Sequence, residues 1–329
     1  MGAMTLLRRD VLRLAAGAAI IPWLPRLASA QAYPARPVRV IVPVAAGGQN
    51  DTATRLVMQK VSEAVRQQFY VENVVGAGGN IGMGQAARAA ADGYTLLAAA
   101  GSFIINPSLY ARVPYDPISD FAPVSLMCST THVLVVHPSV AARSIKELVA
   151  LAKASPGKLS YASAGTGTPA HLAGELFKTA FGLDITHVPF TGGGPGITST
   201  IGGHTPMSFS ALATAAPNVK AGGVRALAVM SGKRSSVLPE VPTMAEASGA
   251  DLQADVISGI LVRAGTPREV IDRLHGEIVK VIGQPEVRDR LVTLGFEPVA
   301  NTPGEFAEWI KIEIAKWANV IHEANIRIQ

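Results

Sequence analysis

The sequence predicts an α/β protein with two domains and mostly parallel strands. Short runs rich in β-branched residues alternate with segments whose apolar residues recur every three or four positions, which is the pattern of strand and helix in turn. The 329 residues suffice for two domains of ordinary size, and 48% apolar with 16% charged residues is typical of a globular chain. No tandem repeat or low-complexity linker marks a boundary, so periodicity alone leaves the crossing between the domains open.

The first thirty residues predict an export signal. A pair of arginines, Arg8 and Arg9, precedes an apolar run from Leu14 to Leu27, and the segment ASA that follows matches the small residues of a cleavage site. Two prolines interrupt the run, which is shorter than the roughly 20 residues that span a bilayer, so no membrane anchor is expected. The paired arginines resemble a twin-arginine signal, but general secretory signals also carry such pairs, and both export routes stay open.

Charge and cysteine content exclude several classes of protein. Removing residues 1–30 lowers the formal net charge from +5 to +2, because they contain four basic residues and one acidic residue, and no later segment is a block of lysine and arginine. The exported chain is therefore expected to bind neither nucleic acid nor membrane. Cys128 is the only cysteine, which excludes an intrachain disulfide and a cysteine metal cluster, and we expect it to be buried. Four histidines lack metal-ligand spacing and are interpreted as structural, so no metal or cofactor is expected; they are His132, His137, His187 and His204.

Strand and helix patterns follow one another along the exported part. The first block reads VRVIVPV, a helix, FYVENVV, glycines with the helix GQAARAAA, and TLLAAAG. A Pro-rich connection, RVPYDPISDFAP, leads to two predicted strands, VSLMC and HVLVVHP, and to the helix SIKELVALAKA. The next block gives LSYASAG, ITHVPF, PMSFSA and VRALAVM as strands, and the first two are each followed by a helix.

The last section closes the predicted fold with helices. SGILVRAGTP is interpreted as a strand, and the two helical patterns after it are separated by the loop GFEPVANTP. The final pattern, FAEWIKIEIAKWANVIHEA, carries Phe306, Ile310, Ile314 and Trp317 at the spacing of a buried helix face. These four side chains are predicted to lie in the core.

Four glycine-rich loops stand where a strand changes into a helix. The first is PVAAGGQND, residues 43–51, and the second is VVGAGGNIG, residues 74–82. The third, SAGTGTP, ends on Thr168 as a predicted helix cap and Pro169 as the first helical residue. The fourth, FTGGGP, has Pro195 in the same predicted role.

These loops predict a pocket for a small anion. A helix N-terminus presents unpaired N–H groups and a partial positive charge, and the carboxyl ends of strands in an open sheet face the same space. None of the four loops contains lysine or arginine, and the phosphate motif GxxxxGK[ST] is absent. A dinucleotide fingerprint fits only GMGQAA, which does not directly follow a strand. A carboxylate held by backbone amides and hydroxyls is therefore the favoured ligand.

Each loop also has a purely structural interpretation. A single glycine-rich turn is as often a tight turn or helix cap as a ligand loop, whereas four together favour a ligand. Asp51 either caps its helix or contacts the ligand, and the sequence favours neither role. His171 is expected to be packed or hydrogen-bonded rather than to act as a catalytic base.

The chain resembles the Bug family of extracytoplasmic solute receptors, the periplasmic binding components of tripartite tricarboxylate transporters. The likeness runs over essentially the whole exported part and rests on the order and spacing of several segments. They are YPARPVRVIVPVAAGGQND, VENVVGAGGNIG, ADGYTLL, INPSLYARVPYDPISDFAPVSL, LSYASAGTGTPAHLAGELF, ITHVPFTGGGPGITSTIGG, VRALAVMSGKRSSVLPEVPTMAE and LVRAGTP.

The resemblance implies a two-domain periplasmic-binding-protein fold, similar to type II, that closes on a small organic carboxylate held in the cleft between its domains. It implies a periplasmic receptor without enzyme activity that passes its ligand to membrane transporter subunits, and the chain is expected to be a monomer. The first domain would comprise residues 31–130 and 229–329, and the second residues 131–228. The residues expected to contact the ligand are Val44, Ala45, Ala46, Gly47, Gly48, Gln49, Asn50, Asp51, Gly78, Gly79, Asn80, Ser163, Ala164, Gly165, Thr166, Thr168, His171, Phe190, Thr191, Gly192, Gly193 and Ser210.

Three places depart from the family pattern. Val44 stands where relatives commonly have an aromatic residue, so a stacking wall over the ligand would be missing. Ser210 stands where many relatives have an acid, and a carboxylate there would suit an ammonium group on the ligand. Thr191 and the glycines after it replace a bulkier loop. These departures favour a roomy pocket for a ligand without an amine, while aliphatic dicarboxylates, tricarboxylates and aromatic carboxylates all stay open.

Two other functions stay open on the sequence. A receptor of the same fold can present its ligand to a membrane sensor kinase instead of a transporter, and the residues do not separate the two roles. An exported hydrolase would use a loop hydroxyl together with His171, although the nucleophile elbow GxSxG is absent.

Overall fold

The computed structural model describes residues 33–326, and the predicted export signal lies outside them. The described part contains ten strands, eleven α-helices and a 3₁₀ turn at Ala77–Gly79. In chain order the elements are β1 (Val38–Val42), α1 (Gln49–Val65), β2 (Phe69–Asn73), α2 (Asn80–Ala87), β3 (Thr95–Ala99), α3 (Gly101–Leu109), β4 (Phe121–Val136), α4 (Ile145–Ala154), β5 (Ser160–Ser163), α5 (Pro169–Phe181), β6 (Thr186–Pro189), α6 (Gly193–Ile201), β7 (Met207–Ala211), α7 (Leu212–Lys220), β8 (Arg225–Val229), α8 (Met244–Ser248), β9 (Asp255–Arg263), α9 (Arg268–Ile282), α10 (Pro285–Thr293), β10 (Glu297–Pro298) and α11 (Pro303–Glu323).

The strands of the described part form one mixed sheet. Its main path runs β2-β1-β3-β9-β4-β7-β5-β6, and β8 and β10 each pair with β4. The pairs β1–β2, β1–β3, β5–β6 and β5–β7 are parallel. Every antiparallel pair involves β4 or β9. The prediction of mostly parallel strands is therefore wrong for the middle of the sheet and confirmed on its two sides.

β4 joins the two sides of the sheet. It is one strand of sixteen residues, whereas the sequence predicts two strands at VSLMC and HVLVVHP. The polar residues between these runs suggest a break, but Thr130, Thr131 and His132 are buried and continue the ladder. β4 pairs with β9 up to Thr131 and with β7 from His132 onward. A single strand therefore changes its partner from one side of the sheet to the other.

Helices cover the sheet with the apolar faces that the sequence predicts. On α11, Phe306, Ile310 and Trp317 are buried, and Ile314 is partly buried against the same core. The helix begins with a capping box in which Thr302 and Glu305 exchange hydrogen bonds. Cys128 is buried as expected, and burial raises the pKa of its thiol to about 12. No helix within residues 33–326 combines the length and apolar character needed to cross a bilayer.

The parallel pairs decide where a site can form. β1 and β3 run in the same direction and are followed by α1 and α3, while β5 and β6 run together and are followed by α5 and α6. Each strand therefore delivers a loop and a helix N-terminus to the edge of the sheet where the parallel strands end. Three of the four predicted glycine-rich segments occupy the junctions after β1, β5 and β6, and the other follows β2, which is parallel to β1.

Candidate functional site

The loop between β1 and α1 is shaped by a buried carboxylate. Asp51 accepts hydrogen bonds from the N–H of Gly47 at 2.9 Å and from Nδ2 of Asn73 at 2.9 Å, and Arg55 approaches both of its oxygens at 2.9 and 3.0 Å. Burial by itself raises the pKa of Asp51, but these hydrogen bonds outweigh it and hold the pKa below the usual 3.8. The helix cap is Gly48, without a side-chain hydrogen bond. Asp51 thus fixes the loop instead of capping the first helical amides.

The loop after β2 lies against the first loop. A Cβ on Gly79 would stand 2.9 Å from the carbonyl oxygen of Pro43, so only glycine permits this approach, and its φ of +95° also favours glycine. From α3, Nδ2 of Asn106 donates to the carbonyl of Gly78 at 3.0 Å and to Oδ1 of Asn80 at 2.8 Å. The first two predicted loops are therefore brought together and fixed by a helix that the sequence did not assign to the site.

The loop between β5 and α5 is tied back on itself. The hydroxyl of Thr168 donates to the carbonyl of Gly165 at 2.6 Å and accepts from the N–H of His171 at 3.4 Å, which confirms the predicted cap. The hydroxyl of Ser163 accepts from the N–H of Gly165 at 3.1 Å and bonds the ring of His187 at 2.7 Å. Ser163 and Thr168 therefore use their hydroxyls inside the loop.

What this loop leaves free is backbone and one hydroxyl. Within residues 33–326 the N–H groups of Ala164 and Thr166 have no protein acceptor, and the exposed Thr166 has no side-chain hydrogen bond. Gly165 has a φ of +129°, and a Cβ there would stand 3.0 Å from the carbonyl oxygen of Phe190. The third and fourth predicted loops are therefore in contact, and the third presents amide donors to the space they border.

The fourth loop differs from its prediction in one detail. α6 begins at Gly193, so Pro195 is its third residue and not the first. A run of three glycines allows the helical conformation to start before the proline, although the proline pattern predicts the start at Pro195. Thr191 is exposed, and Gly192 precedes the helix without a side-chain cap. Ser210, near the end of β7, is buried, and its hydroxyl lies 3.0 Å from that of Ser208.

The N-termini of α3 and α5 bring the two sides of the sheet together. A Cβ on Gly101 would stand 2.8 Å from Cγ of Pro169, so these two helix starts touch. Gly101 and Ser102 were not predicted as site residues. The signal was present, since TLLAAAGSF is another strand that ends at a glycine and becomes a helix.

Unpaired polar atoms lie at the starts of α1 and α3. Nδ2 of Asn50 donates to the carbonyl of Ala99 at 2.9 Å and to the hydroxyl of Ser258 at 3.1 Å. Within the described part, Nε2 of Gln49, Oδ1 of Asn50 and the hydroxyl of Ser102 are buried without a hydrogen-bond partner. Buried polar atoms are nearly always paired, so unpaired ones beside helix N-termini indicate groups available to a bound molecule.

The helix starts around the site carry little side-chain capping. α1, α3, α6 and α7 begin without a side-chain cap, whereas α5 is capped by Thr168. The first-turn N–H groups of the uncapped helices are therefore free to bind an anion. The cation beside the first loop, Arg55, is already paired with Asp51 and Asn73. The site offers amides and hydroxyls rather than free positive side chains.

His171 is not placed to act as a base. Its Nδ1 accepts a hydrogen bond from the N–H of Gly167 at 3.0 Å, so the proton of the neutral ring is on Nε2. Nε2 lies 3.8 Å from Oε1 of Glu175. Burial lowers the pKa of His171, although the charge of Glu175 opposes this. The ring therefore has no lone pair free for a substrate proton, and this geometry disfavours a hydrolase that uses His171.

The structure thus brings the four predicted loops to one region. Their contact with a ligand stays a prediction, and hydrogen bonds within the protein give Asp51, Ser163, Thr168 and His171 internal roles. Among residues 33–326 no group of three or more His, Cys, Asp or Glu side chains is arranged to hold a metal ion.

Comparisons with known proteins give the same picture over nearly the whole chain. The model of the tripartite tricarboxylate transporter family receptor matches residues 53–326. BugT of Bordetella pertussis (strain Tohama I) is 34% identical over 303 residues, which cover 92% of this chain and 93% of BugT.

Solved structures of similar sequence have the same fold. Rpa4515 of Rhodopseudomonas palustris, solved with adipate, is 31% identical with a TM-score of 0.80 and covers 90% of this chain and 100% of its own. The periplasmic binding protein BugD is 31% identical with a TM-score of 0.76, again over 90% and 100%. MatC of Rhodopseudomonas palustris, solved with bound malate, is 29% identical with a TM-score of 0.75 over 88% and 100%. The chain belongs to the tripartite tricarboxylate transporter receptor family and has the two-domain α/β fold of its periplasmic solute-binding proteins.

Proposed function

We propose that this chain is an exported receptor that binds a small organic carboxylate and delivers it to a membrane transporter of the tripartite tricarboxylate type. The observation that carries the proposal is the set of uncapped helix starts and free loop amides at the ends of parallel strands. Such groups stabilise a carboxylate without a lysine, an arginine or a metal ion.

The ligand class is supported by relatives and by local chemistry. Rpa4515 was solved with adipate and MatC with malate, and both ligands are dicarboxylates. In this chain Ser210 presents a hydroxyl that already contacts Ser208, so this position offers no carboxylate to an ammonium group. Val44 adds no aromatic ring. We therefore favour a carboxylate ligand that has no amine and is too bulky for a narrow pocket.

The ligand would lie between two domains that are joined by β4. The sequence assigned residues 31–130 and 229–329 to one domain and residues 131–228 to the other. The change of partner along β4 between Thr131 and His132 supports the first boundary. α8 packs against α4 and β8, which favours a return crossing near the start of β9 at Asp255. Binding would shift the receptor from an open form toward a closed one that the transporter recognises.

The direct test is titration calorimetry of exported, ligand-free protein with adipate, malate and a panel of tri- and aromatic carboxylates. We expect at least one ligand with a Kd of about 1 μM or below, equivalent to roughly 8 kcal/mol. Thr166→Ala should weaken its binding about three- to tenfold, because one hydroxyl donor is lost. Thr293→Ala, an exposed position on α10, is the matched control and should leave binding unchanged. If no carboxylate in the panel binds or raises the melting temperature, the proposed function is wrong.

A further inference from the structure

Two stacked imidazoles lie behind the third loop. The rings of His171 on α5 and His187 on β6 have centroids 3.9 Å apart and planes inclined by 19°. Tyr161 on β5 continues the column, with its ring 5.0 Å from that of His187. None of these contacts is part of the regular sheet or helix bonding, so the column adds a second connection between the three elements.

Each imidazole holds a different end of the loop. His187 reaches the hydroxyl of Ser163, the last residue of β5, with Nε2 at 2.7 Å. His171 accepts the N–H of Gly167 with Nδ1 at 3.0 Å, just before the cap of α5. Between these two anchors stand Ala164 and Thr166, whose N–H groups have no acceptor within the described part.

Charged groups behind the column fix the protonation of His171. Glu175 lies 3.8 Å from Nε2 of His171, and its carboxylate accepts a hydrogen bond from Tyr161 at 2.6 Å and bonds from Lys178 at 2.8 and 3.0 Å. The carboxylate therefore favours the ring form with the proton on Nε2, which leaves Nδ1 as the acceptor that Gly167 needs.

We propose that His187 is a positioning residue for the carboxylate loop and that it acts with His171 to hold residues 163–168 in the shape that exposes the Ala164 and Thr166 amides. The proposal rests on the proposed function for the identity of the ligand. His187 acts on these amides through its hydrogen bond to Ser163. Among the described residues it makes no hydrogen bond of its own into the space that the amides face. Free amides bind an anion well only when they are held in place beforehand, since ordering a loop on binding costs affinity.

The pair works only with neutral rings. A proton on Nδ1 of His171 would point at the N–H of Gly167 and remove that hydrogen bond. Two imidazolium rings at this separation would also repel each other, while Glu175 and Lys178 act on both rings with opposite signs. Burial lowers the pKa of His187 to about 4, which keeps this ring neutral through the range in which the receptor would bind its ligand.

The experiment compares adipate and malate binding by calorimetry for four proteins: the wild type, His187→Ala, His187→Gln and the control His322→Ala. His322 is exposed near the end of α11. We expect His187→Ala to weaken binding about tenfold, the equivalent of one lost buried hydrogen bond. His187→Gln retains a polar group able to bond Ser163 and should recover most of that loss. Equal affinity of wild type and His187→Ala, or no recovery in His187→Gln when both variants are folded, would overturn the proposal.

A second measurement uses ligand-free wild-type and variant proteins and stands apart from the proposed function. Nitrogen NMR of the histidine rings should show His171 neutral with its proton on Nε2, and hydrogen exchange at the Gly165 and Gly167 amides should accelerate in His187→Gln less than in His187→Ala. A proton on Nδ1 of His171 at neutral pH would overturn the inference even if His187→Ala fails to fold. If instead the rings behave as expected but no carboxylate binds the wild type, the proposed function is wrong and the loop anchor is correct.

Discussion

Asp51 is only 2% exposed, yet its carboxylate carries a charge and borders the loop that is expected to hold a ligand. Its oxygens are occupied by Gly47, Asn73 and Arg55. A buried charge of this kind stabilises a structure only while its partners are present, because an unpaired partner left in the interior costs more than the pair contributes. Asp51 therefore holds the loop around Gly48 in place. Its own oxygens are already occupied, so the remaining loop amides do not bond to it.

Replacing Asp51 tests this role at the scale of one side chain. We expect Asp51→Ala to lower the free energy of unfolding by about 3 kcal/mol, because Gly47 and Asn73 lose a buried acceptor and Arg55 loses its counter-ion. Denaturant unfolding at neutral pH measures this loss. The matched control is Asp272→Ala, which removes an exposed i,i+4 pair with Arg268 and should change stability by less than about 0.5 kcal/mol. Equal effects of the two substitutions would contradict the role assigned to Asp51.

The pH dependence of the Asp51 contribution has a definite sign. Its folded pKa lies below the unfolded value of 3.8, so the contribution is present above that value and is lost as the pH falls through the folded pKa. The difference in stability between wild type and Asp51→Ala should therefore be constant from pH 5 upward and shrink in strong acid.

Sequence patterns predicted which residues gather at the site but not which atoms stay free. Gly47, Asp51, Ser163 and Thr168 were predicted as contacts from the loops in which they stand. Gly47 and Thr168 bond partners three or four residues away, but Asp51 also bonds Asn73, 22 residues along the chain, and Ser163 bonds His187, 24 residues along it. A one-dimensional pattern contains no record of such pairings, and only the folded geometry shows that these groups are used internally.

At the scale of helices, the same cap serves two different purposes. Thr168 caps α5 beside the candidate site, and Thr302 caps α11, where its partner Glu305 completes a capping box. Each threonine satisfies a first-turn amide that the helix itself cannot pair. Thr168 has an added role, because its hydroxyl also donates to the carbonyl of Gly165 and so closes the loop.

We expect Thr168→Ala and Thr302→Ala each to lower the free energy of unfolding by about 1 kcal/mol, the usual cost of losing a cap. Only Thr168→Ala should also weaken carboxylate binding, because it releases the loop that holds the Ala164 and Thr166 amides. Thermal unfolding and calorimetry on the same preparations measure both effects. Loss of affinity in Thr302→Ala, or full affinity in Thr168→Ala, would show that the cap is unrelated to the site.

Most elements were predicted correctly because their periodicity is local, and β4 is an exception with a clear physical cause. The ends of β4 were predicted as two strands since the polar stretch between them looks like a loop. In the structure this stretch is covered by neighbours on both sides, and His132 exchanges backbone hydrogen bonds with Ala254 and Met230. Burial from distant segments therefore overrides the local pattern at the point where the two sides of the sheet join.

At the scale of the whole molecule, the buried His132 and the half-buried Asp255 lie where β4 and β9 run side by side. His132 bonds the carbonyl of Ala254 through Nδ1 at 2.8 Å, and burial lowers its pKa to about 4. Asp255 is the next residue after that carbonyl, and burial, opposed by Lys316 and reinforced by Glu313, raises its pKa to about 6. The two groups therefore change the stability of the same region in opposite directions as the pH rises.

The sign of each contribution follows from which state binds more protons. Between pH 4 and 6.5 His132 is protonated in the unfolded state but not in the folded state, so its contribution to stability rises with pH. Between pH 4 and 6 Asp255 holds a proton in the folded state that the unfolded state has lost, so its contribution to stability falls with pH. Each shift corresponds to about 3 kcal/mol. Burial also lowers the pKa of His171 and His187, which adds to the rise. The wild type should therefore gain stability from pH 4 to 6.5, but less than its histidines alone would give.

Two substitutions separate the opposing contributions. Asp255→Asn removes the contribution that falls with pH. The free energy of unfolding should therefore increase by about 3 kcal/mol more between pH 4 and 6 than it does in the wild type. His132→Asn keeps a donor for the carbonyl of Ala254 but does not titrate, so the climb should be shallower by a similar amount. Because the two changes have opposite signs, a general loss of stability cannot imitate them both. Parallel pH profiles of denaturant unfolding for all three proteins would instead show that the junction of β4 and β9 does not control the acid stability of the receptor.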